Sequence, residues 1–199
     1  MEKVVVGIDF GSKLSGFTAL AVSDSTGVIH LFQSEKKKSA DLWLKEILAR
    51  FNPDVIGIDA PLSLPGVYKG LLGTKNYHYR ECDQQVGAMS PLFLGGLTAR
   101  AMELKSWAEQ SLSSTVIEVY PKLMAQKITL DPKLYKKSRE YLSEAFEHLS
   151  KDHSLGINTN NSIDNWHQFD ALLALATSLR FATGIAEEIG RKDEGIIYF

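Results

Sequence analysis

The chain has 199 residues, a net charge of −2, 44% hydrophobic residues and 23% charged residues. That length suffices for a full hydrophobic core without disulfide or metal staples, and the balance is that of a globular protein, not a disordered or fibrous one. The charge excludes a strongly basic chain built for tight non-specific binding to nucleic acid.

Cys82 is the only cysteine, so no intrachain disulfide forms, which fits a reducing cytosol. No secretory pattern opens the chain, and no apolar run reaches the ~18 residues of a membrane span. A cytoplasmic protein with no membrane partner is the expectation.

Residues 4–9, Val-Val-Val-Gly-Ile-Asp, form an apolar run that ends on a carboxylate. An unbroken run of this kind predicts a strand buried on both faces. The turn from Asp9 to Gly16 is rich in Gly and Ser, and strands are expected at 17–22 and 28–33. Short turns between the three make an antiparallel meander. Lys36, Lys37 and Lys38 then read as a solvated strand exit. A helix capped by Ser39 or Asp41 runs to about Arg50, with Leu42, Leu44, Ile47, Leu48 and Phe51 as its apolar face, until Asn52-Pro53-Asp54 stops it. The strand Val55-Ile-Gly-Ile-Asp59 follows, and a helical crossover into it argues for parallel pairing.

Residues 61–96 carry three prolines and six glycines without periodicity. A loop this long is usually functional; the alternative is that it hides a short helix near Arg80 to Val86. Because it starts directly after Asp59, it is expected to cover whatever Asp59 does. A helix at 97–112 presents Leu97, Ala101, Leu104, Ala108 and Leu112 on one face. A strand at 115–120 ends at Pro121. A Lys-rich helical insertion covers 122–151, with Pro132 as a helix start, and 155–163 is polar loop. The strongest helix spans 164–183, with Asp164 as its N-cap and Gly184 closing it. Residues 195–199 suggest a final strand. Nothing divides the chain, so a single domain over 1–199 is expected.

Four acidic residues fall at telling places. Asp9 and Asp59 each end a buried strand after a Gly-Ile pair. Glu118 lies within the strand at 115–120, and Asp170 lies in an otherwise apolar helix, one turn after His167. A buried carboxylate needs a cation, a hydrogen-bond network or a neutralising proton. Clustered carboxylates suit the hard ions Mg²⁺ and Mn²⁺, and such ions catalyse phosphodiester displacement. Each residue also has a plain structural reading: Asp9 as an Asx turn, Glu118 pointing out from an edge strand, His167 as a packed helical histidine. In the long loop, Arg80 is a candidate bidentate phosphate contact with Asp83 beside it. Cys82 has no His partner at a recognisable spacing.

Five pieces in order carry a family resemblance: Gly7-Ile-Asp9, Ile56-Gly-Ile-Asp-Ala-Pro61, Arg80-Glu-Cys-Asp83, Ile117-Glu-Val-Tyr-Pro121 and His167-Gln-Phe-Asp-Ala171. Together they resemble a group of predicted nucleases with a ribonuclease H-like fold, the domain of unknown function DUF429. The resemblance implies an α/β fold with a mixed five-stranded sheet, order 3-2-1-4-5, flanked by helices. By that resemblance Asp9, Asp59 and Asp170 would hold Mg²⁺ or Mn²⁺, with His167 beside them as ligand or proton shuttle. The last piece is similar to the His-x-x-Asp-Ala helix of some Holliday-junction resolvases, and Glu118 matches the family's own motif.

The first expectation is therefore a metal-dependent nuclease with nucleic acid as partner and a homodimer as the assembly to test for. Its catalytic residues would be Asp9, Asp59, Glu118, His167 and Asp170. A second reading takes the turn holding Ser12 and Lys13 as the phosphate loop of actin-like ATPases and sugar kinases, which makes the chain a one-lobed nucleotide-binding module. A third is a non-catalytic binding scaffold.

Overall fold

The structure, a computed structural model, describes residues 3–151 and 162–199. Of the loop expected at 155–163, residues 155–161 lie outside the described residues. Seven strands form one sheet: β1 (Val5–Asp9), β2 (Ala19–Ser23), β3 (Ile29–Gln33), β4 (Val55–Asp59), β5 (Thr115–Val119), β6 (Glu188–Arg191) and β7 (Gly195–Tyr198). Their order is β3-β2-β1-β4-β5-β7-β6. The expected 3-2-1-4-5 core is present, with β2 antiparallel to β1 and β3, and β4 parallel to β1 and β5.

The expected count of five strands is corrected to seven. β7 pairs with β5 only at Glu118↔Ile197 and Val119↔Tyr198, and β6 pairs antiparallel with β7 outside it. Glu188-Ile-Gly-Arg191 is short, polar and broken by a glycine, so it lacks the alternation that marks a strand in sequence.

Helices cover both faces. They are α1 (Ala40–Phe51), α2 (Glu81–Val86), α3 (Pro91–Leu94), α4 (Gly96–Ser111), α5 (Pro121–Lys127), α6 (Glu140–Lys151) and α7 (Trp166–Ala182). Successive strand residues point to opposite faces. Val6, Ile8, Leu20, Val22, Ile56 and Ile58 meet Leu44 and Leu48 of α1 and Ala101, Leu104 and Ala108 of α4. Val5, Ala19, Ala21, Val55, Ile117 and Val119 meet α5, α6 and α7. Asp9 and Asp59 share the parity of Val5 and Val55, so they face α7.

Three local expectations are revised. The N-cap of α7 is Asn165, not Asp164; its side chain accepts from the backbone N–H groups of His167 and Gln168, a role Asn fills as well as Asp. No helix starts at Pro132: residues 132–137 form turns, and Thr129 before them and Lys136 among them have positive φ values of 59° and 63° that no helix accommodates. The long insertion at 61–96 is not structureless: the alternative of a short helix near Arg80 to Val86 is what is found, as α2, with a 3-10 turn at Gly66–Lys69 before it and α3 after it. Glu194 straps it down, its Oε1 accepting from Gly66 N at 2.7 Å and its Oε2 from Glu81 N at 2.8 Å. Among the described residues no helix is long and apolar enough to cross a membrane.

Gly7 and Gly57 are partners across β1 and β4, on the face under α7. A Cβ at Gly7 would lie 2.0 Å from Leu175 N and 2.5 Å from Ala171 O, both backbone atoms of α7. At Gly57 the nearest atom, at 2.1 Å, is Ser178 Oγ, which a side-chain rotation can move. Gly7→Ala is therefore expected to cost about 3 kcal/mol or more in urea denaturation, and Gly57→Ala distinctly less. Equal costs at the two positions would contradict this account of the packing.

Candidate metal centre

Asp9 and Asp59 are register partners at the C-terminal ends of neighbouring parallel strands. The N-terminal half of α7 crosses above them and supplies His167 and Asp170. One oxygen each from Asp9, Asp59 and Asp170 lie within 4.8 Å of one another. Three carboxylates this close repel, and burial worsens it. Burial, then the charges of Asp9 and Asp170, push the Asp59 carboxyl well above the usual carboxylate range. Burial likewise lifts Asp170 to about 6, with Lys136 pulling the other way.

Each acid has different company. His167 Nδ1 lies 2.7 Å from Asp9 Oδ2; beside a carboxylate oxygen, which only accepts, that nitrogen carries the proton. This hydrogen bond holds the imidazole above its ordinary pKa despite partial burial. Phe17 stacks on the same ring, with centroids 4.8 Å apart and planes 13° apart. Asp170 is 0% exposed. Its Oδ1 accepts from the Tyr135 hydroxyl at 2.5 Å, and it forms an ion pair with the Lys136 ammonium.

The donor set fits a hard divalent cation. Asp170 Oδ2 is buried with the Lys136 ammonium as its one close partner among the described residues, and among them none hydrogen-bonds the Asp59 carboxylate. Three oxygen donors without a thiolate suit Mg²⁺ or Mn²⁺ better than Zn²⁺. Of the residues singled out in the sequence, Asp9, Asp59, His167 and Asp170 come together here.

Glu118 and Asp83 line the cleft beside this centre but, with Arg80, stand outside the triad. Glu118 stands one residue out of phase with Val119 and points to the opposite face of the sheet. There Arg80, 0% exposed, lies between two carboxylates. Its Nη1 and Nη2 each donate to Glu118 at 2.6 Å, while Nε and Nη2 donate to Asp83 at 3.0 and 2.6 Å. Glu118 Oε2 also accepts from Leu62 N at 2.8 Å. Burial works against the guanidinium's charge, but hydrogen bonds to Glu118 and Asp83 outweigh it and hold its pKa above the usual value. This cluster fastens the insertion beside the centre, and every Arg80 nitrogen is committed to it. The phosphate contact expected of Arg80 is thus replaced by a structural ion pair. The register of β4 and β5, with Glu118 opposite Ile58, separates Glu118 from Asp59.

Ser12 and Lys13 lie exposed on the β1–β2 turn, Lys13 Nζ 3.8 Å from Asp41. Lys136, Tyr135 and Phe17 were not singled out in the sequence; the first two stand in turns, where no periodicity marks a residue, and Phe17 lies just before β2. A cleft of about 380 Å³ opens on the centre, lined by Asp9, Asp59, Lys136 and the apolar Phe10, Met89 and Leu97. A second of about 460 Å³, lined by Lys136, Lys137, Arg139 and Trp166, adjoins it.

No protein-family model matches the chain, and no curated protein matches it. Among solved structures the chain is similar to Thermus thermophilus RuvC in complex with a Holliday junction substrate. The TM-score is 0.51 at 17% identity, over 92% of this chain and 98% of that one. A second structure of the same protein gives 0.49 at 16% identity, over 92% and 97%. The first likeness shows the fold: the chain has the ribonuclease H-like architecture.

Two outcomes follow from the charges. Glu118→Ala removes the acceptor of buried N–H groups on Arg80 and Leu62 and is expected to cost about 3 kcal/mol, against less than about 0.5 for Lys13→Ala, measured by urea denaturation. The second concerns pH. His167 stabilises the fold fully below about pH 6.5 and loses this as pH climbs through its raised value. Asp59 and Asp170 ionise less readily folded than unfolded, so their ionisation also favours unfolding as pH rises. The metal-free protein should therefore lose thermal stability from about pH 5 to pH 8. Asp59→Asn should raise its melting temperature at pH 7 by roughly 2–4 °C for each kcal/mol of repulsion relieved.

Proposed function

We propose that the protein is a nuclease that hydrolyses phosphodiester bonds with Mg²⁺ or Mn²⁺ held by Asp9, Asp59 and Asp170. The observation that carries this reading is the convergence of three carboxylates, one oxygen of each within 4.8 Å of the others, with no hydrogen-bond donor to Asp59 among the described residues. A bound divalent ion supplies Lewis acidity toward a phosphate oxygen.

The chain's own residues account for the remainder. With Nδ1 committed to Asp9, His167 keeps Nε2 without a partner among the described residues, so it can take a proton from an attacking water or return one to a leaving oxygen. Phe17 fixes the plane of the ring, and Asp9 fixes its tilt. Lys13, Lys137 and Arg139 are exposed cations around the centre, suited to backbone phosphates. The apolar wall of Met89, Leu94 and Leu97 limits water on one side of the cleft. The neighbour's Holliday junction makes branched DNA one substrate to include.

The test is cleavage of single-stranded, duplex and branched DNA and RNA in Mn²⁺. The wild-type chain should cut at least one of them, with Asp9→Asn and Asp170→Asn slower by about a hundredfold or more. Wild type and Asp9→Asn cleaving at one shared low rate would refute the proposal.

A further inference from the structure

We infer that Lys136 is an internal cation that competes with the metal for the acidic triad, and that its release places it on the path of the substrate's phosphate backbone. This inference rests on the metal reading above and adds to it a residue with two alternating positions.

Neighbouring side chains bracket one carboxylate. Tyr135 donates a neutral hydroxyl to Asp170 Oδ1, and the Lys136 ammonium pairs with Oδ2. No other donor reaches Oδ2, so the ammonium is its sole close partner among the described residues. One buried oxygen cannot serve both an ammonium and a divalent ion at bonding distance, and like charges cannot share so small a volume. The two cations therefore exclude each other. Tyr135, being neutral and on the other oxygen, has no such conflict.

Release is sterically open. The Lys136 side chain is 48% exposed although Asp170 is wholly buried. Its four-carbon stem is flexible, and its ammonium gains hydration on leaving. The backbone around it is a run of turns, with Lys136 itself at φ 63°, so no helix must unwind. Lys136 also lines both clefts, the one holding Asp9 and Asp59 and the one holding Lys137, Arg139 and Trp166. Freed from Asp170, its ammonium joins two other cations beside the metal centre. A polyanion whose scissile phosphate sits at the triad would meet all three.

The test uses full-length protein and two probes. By calorimetry with Mn²⁺, Lys136→Met should bind the ion roughly tenfold more tightly than wild type. Lys137→Met, which removes the same charge one residue away, should change affinity by about twofold at most. Equal affinity in wild type and Lys136→Met overturns the inference, and so does an equal gain in both variants, which would be a general field effect. Should Lys136→Met fail to fold, Lys136→Gln carries the same expectation. The second probe is a fluorescent single-stranded oligonucleotide, titrated at several salt concentrations with and without Ca²⁺. With Ca²⁺, Lys136→Met should show a salt slope about one unit smaller than wild type; without it the slopes should coincide. A loss of the same size in both conditions overturns the release. Loss of Mn²⁺ binding in Asp9→Asn upholds the metal reading whatever Lys136 does, whereas absence of Mn²⁺ binding by the wild type overturns both.

Discussion

The acidic centre depends on how closely one helix can lie on two strands. α7 rests on β1 and β4 because Gly7 and Gly57 present no side chain to it, and because α7 turns small residues, Ala171, Ala174 and Ser178, toward them. Small residues on both sides bring backbones together. The Gly-Ile-Asp pattern, repeated in register, then sets two carboxylates two residues beyond the contact, on the same face. Asp170 immediately precedes Ala171, so the packing that seats the helix also delivers its carboxylate. Position and chemistry here come from one contact.

That arrangement opposes the stability of the fold. Three acids sit within 4.8 Å, and an apolar core would be more stable without them. Sites of this kind are where a sequence departs from local consistency. The departure is compensated nearby: His167 serves Asp9, while Tyr135 and Lys136 serve Asp170. Asp59 alone has no hydrogen-bond donor among the described residues. The opposite face shows the contrasting solution, in which Arg80 hydrogen-bonds Glu118 and Asp83 together.

Much of this was legible in the residues. Asp9 and Asp59 announce themselves because the same Gly-Ile-Asp ending recurs on two apolar runs, which an isolated Asx turn does not explain. Asp170 is conspicuous among Leu and Ala for the same reason. The sheet core followed from run lengths and short turns. Other features depend on information that a linear pattern lacks. Glu118 shares the setting of the two aspartates, an acid in a buried strand, yet the one-residue difference in phase sends it to the other face. Arg80 looks like a surface cation until the insertion folds over it. Tyr135 and Lys136 reach Asp170 only through turns that have no period, and β6 is a strand by virtue of its neighbour β7 alone.

Glu194 has a consequence for how the protein comes into being. It anchors Gly66 and Glu81, which precede it by more than a hundred positions. During synthesis, the insertion leaves the ribosome long before its anchor, and the strands carrying Asp9 and Asp59 leave long before α7. An unfinished polypeptide thus holds neither a closed acidic centre nor a fixed cleft wall. The acidic triad and the wall of the cleft beside it therefore assemble late and together, once the last helix and the final strands are in place.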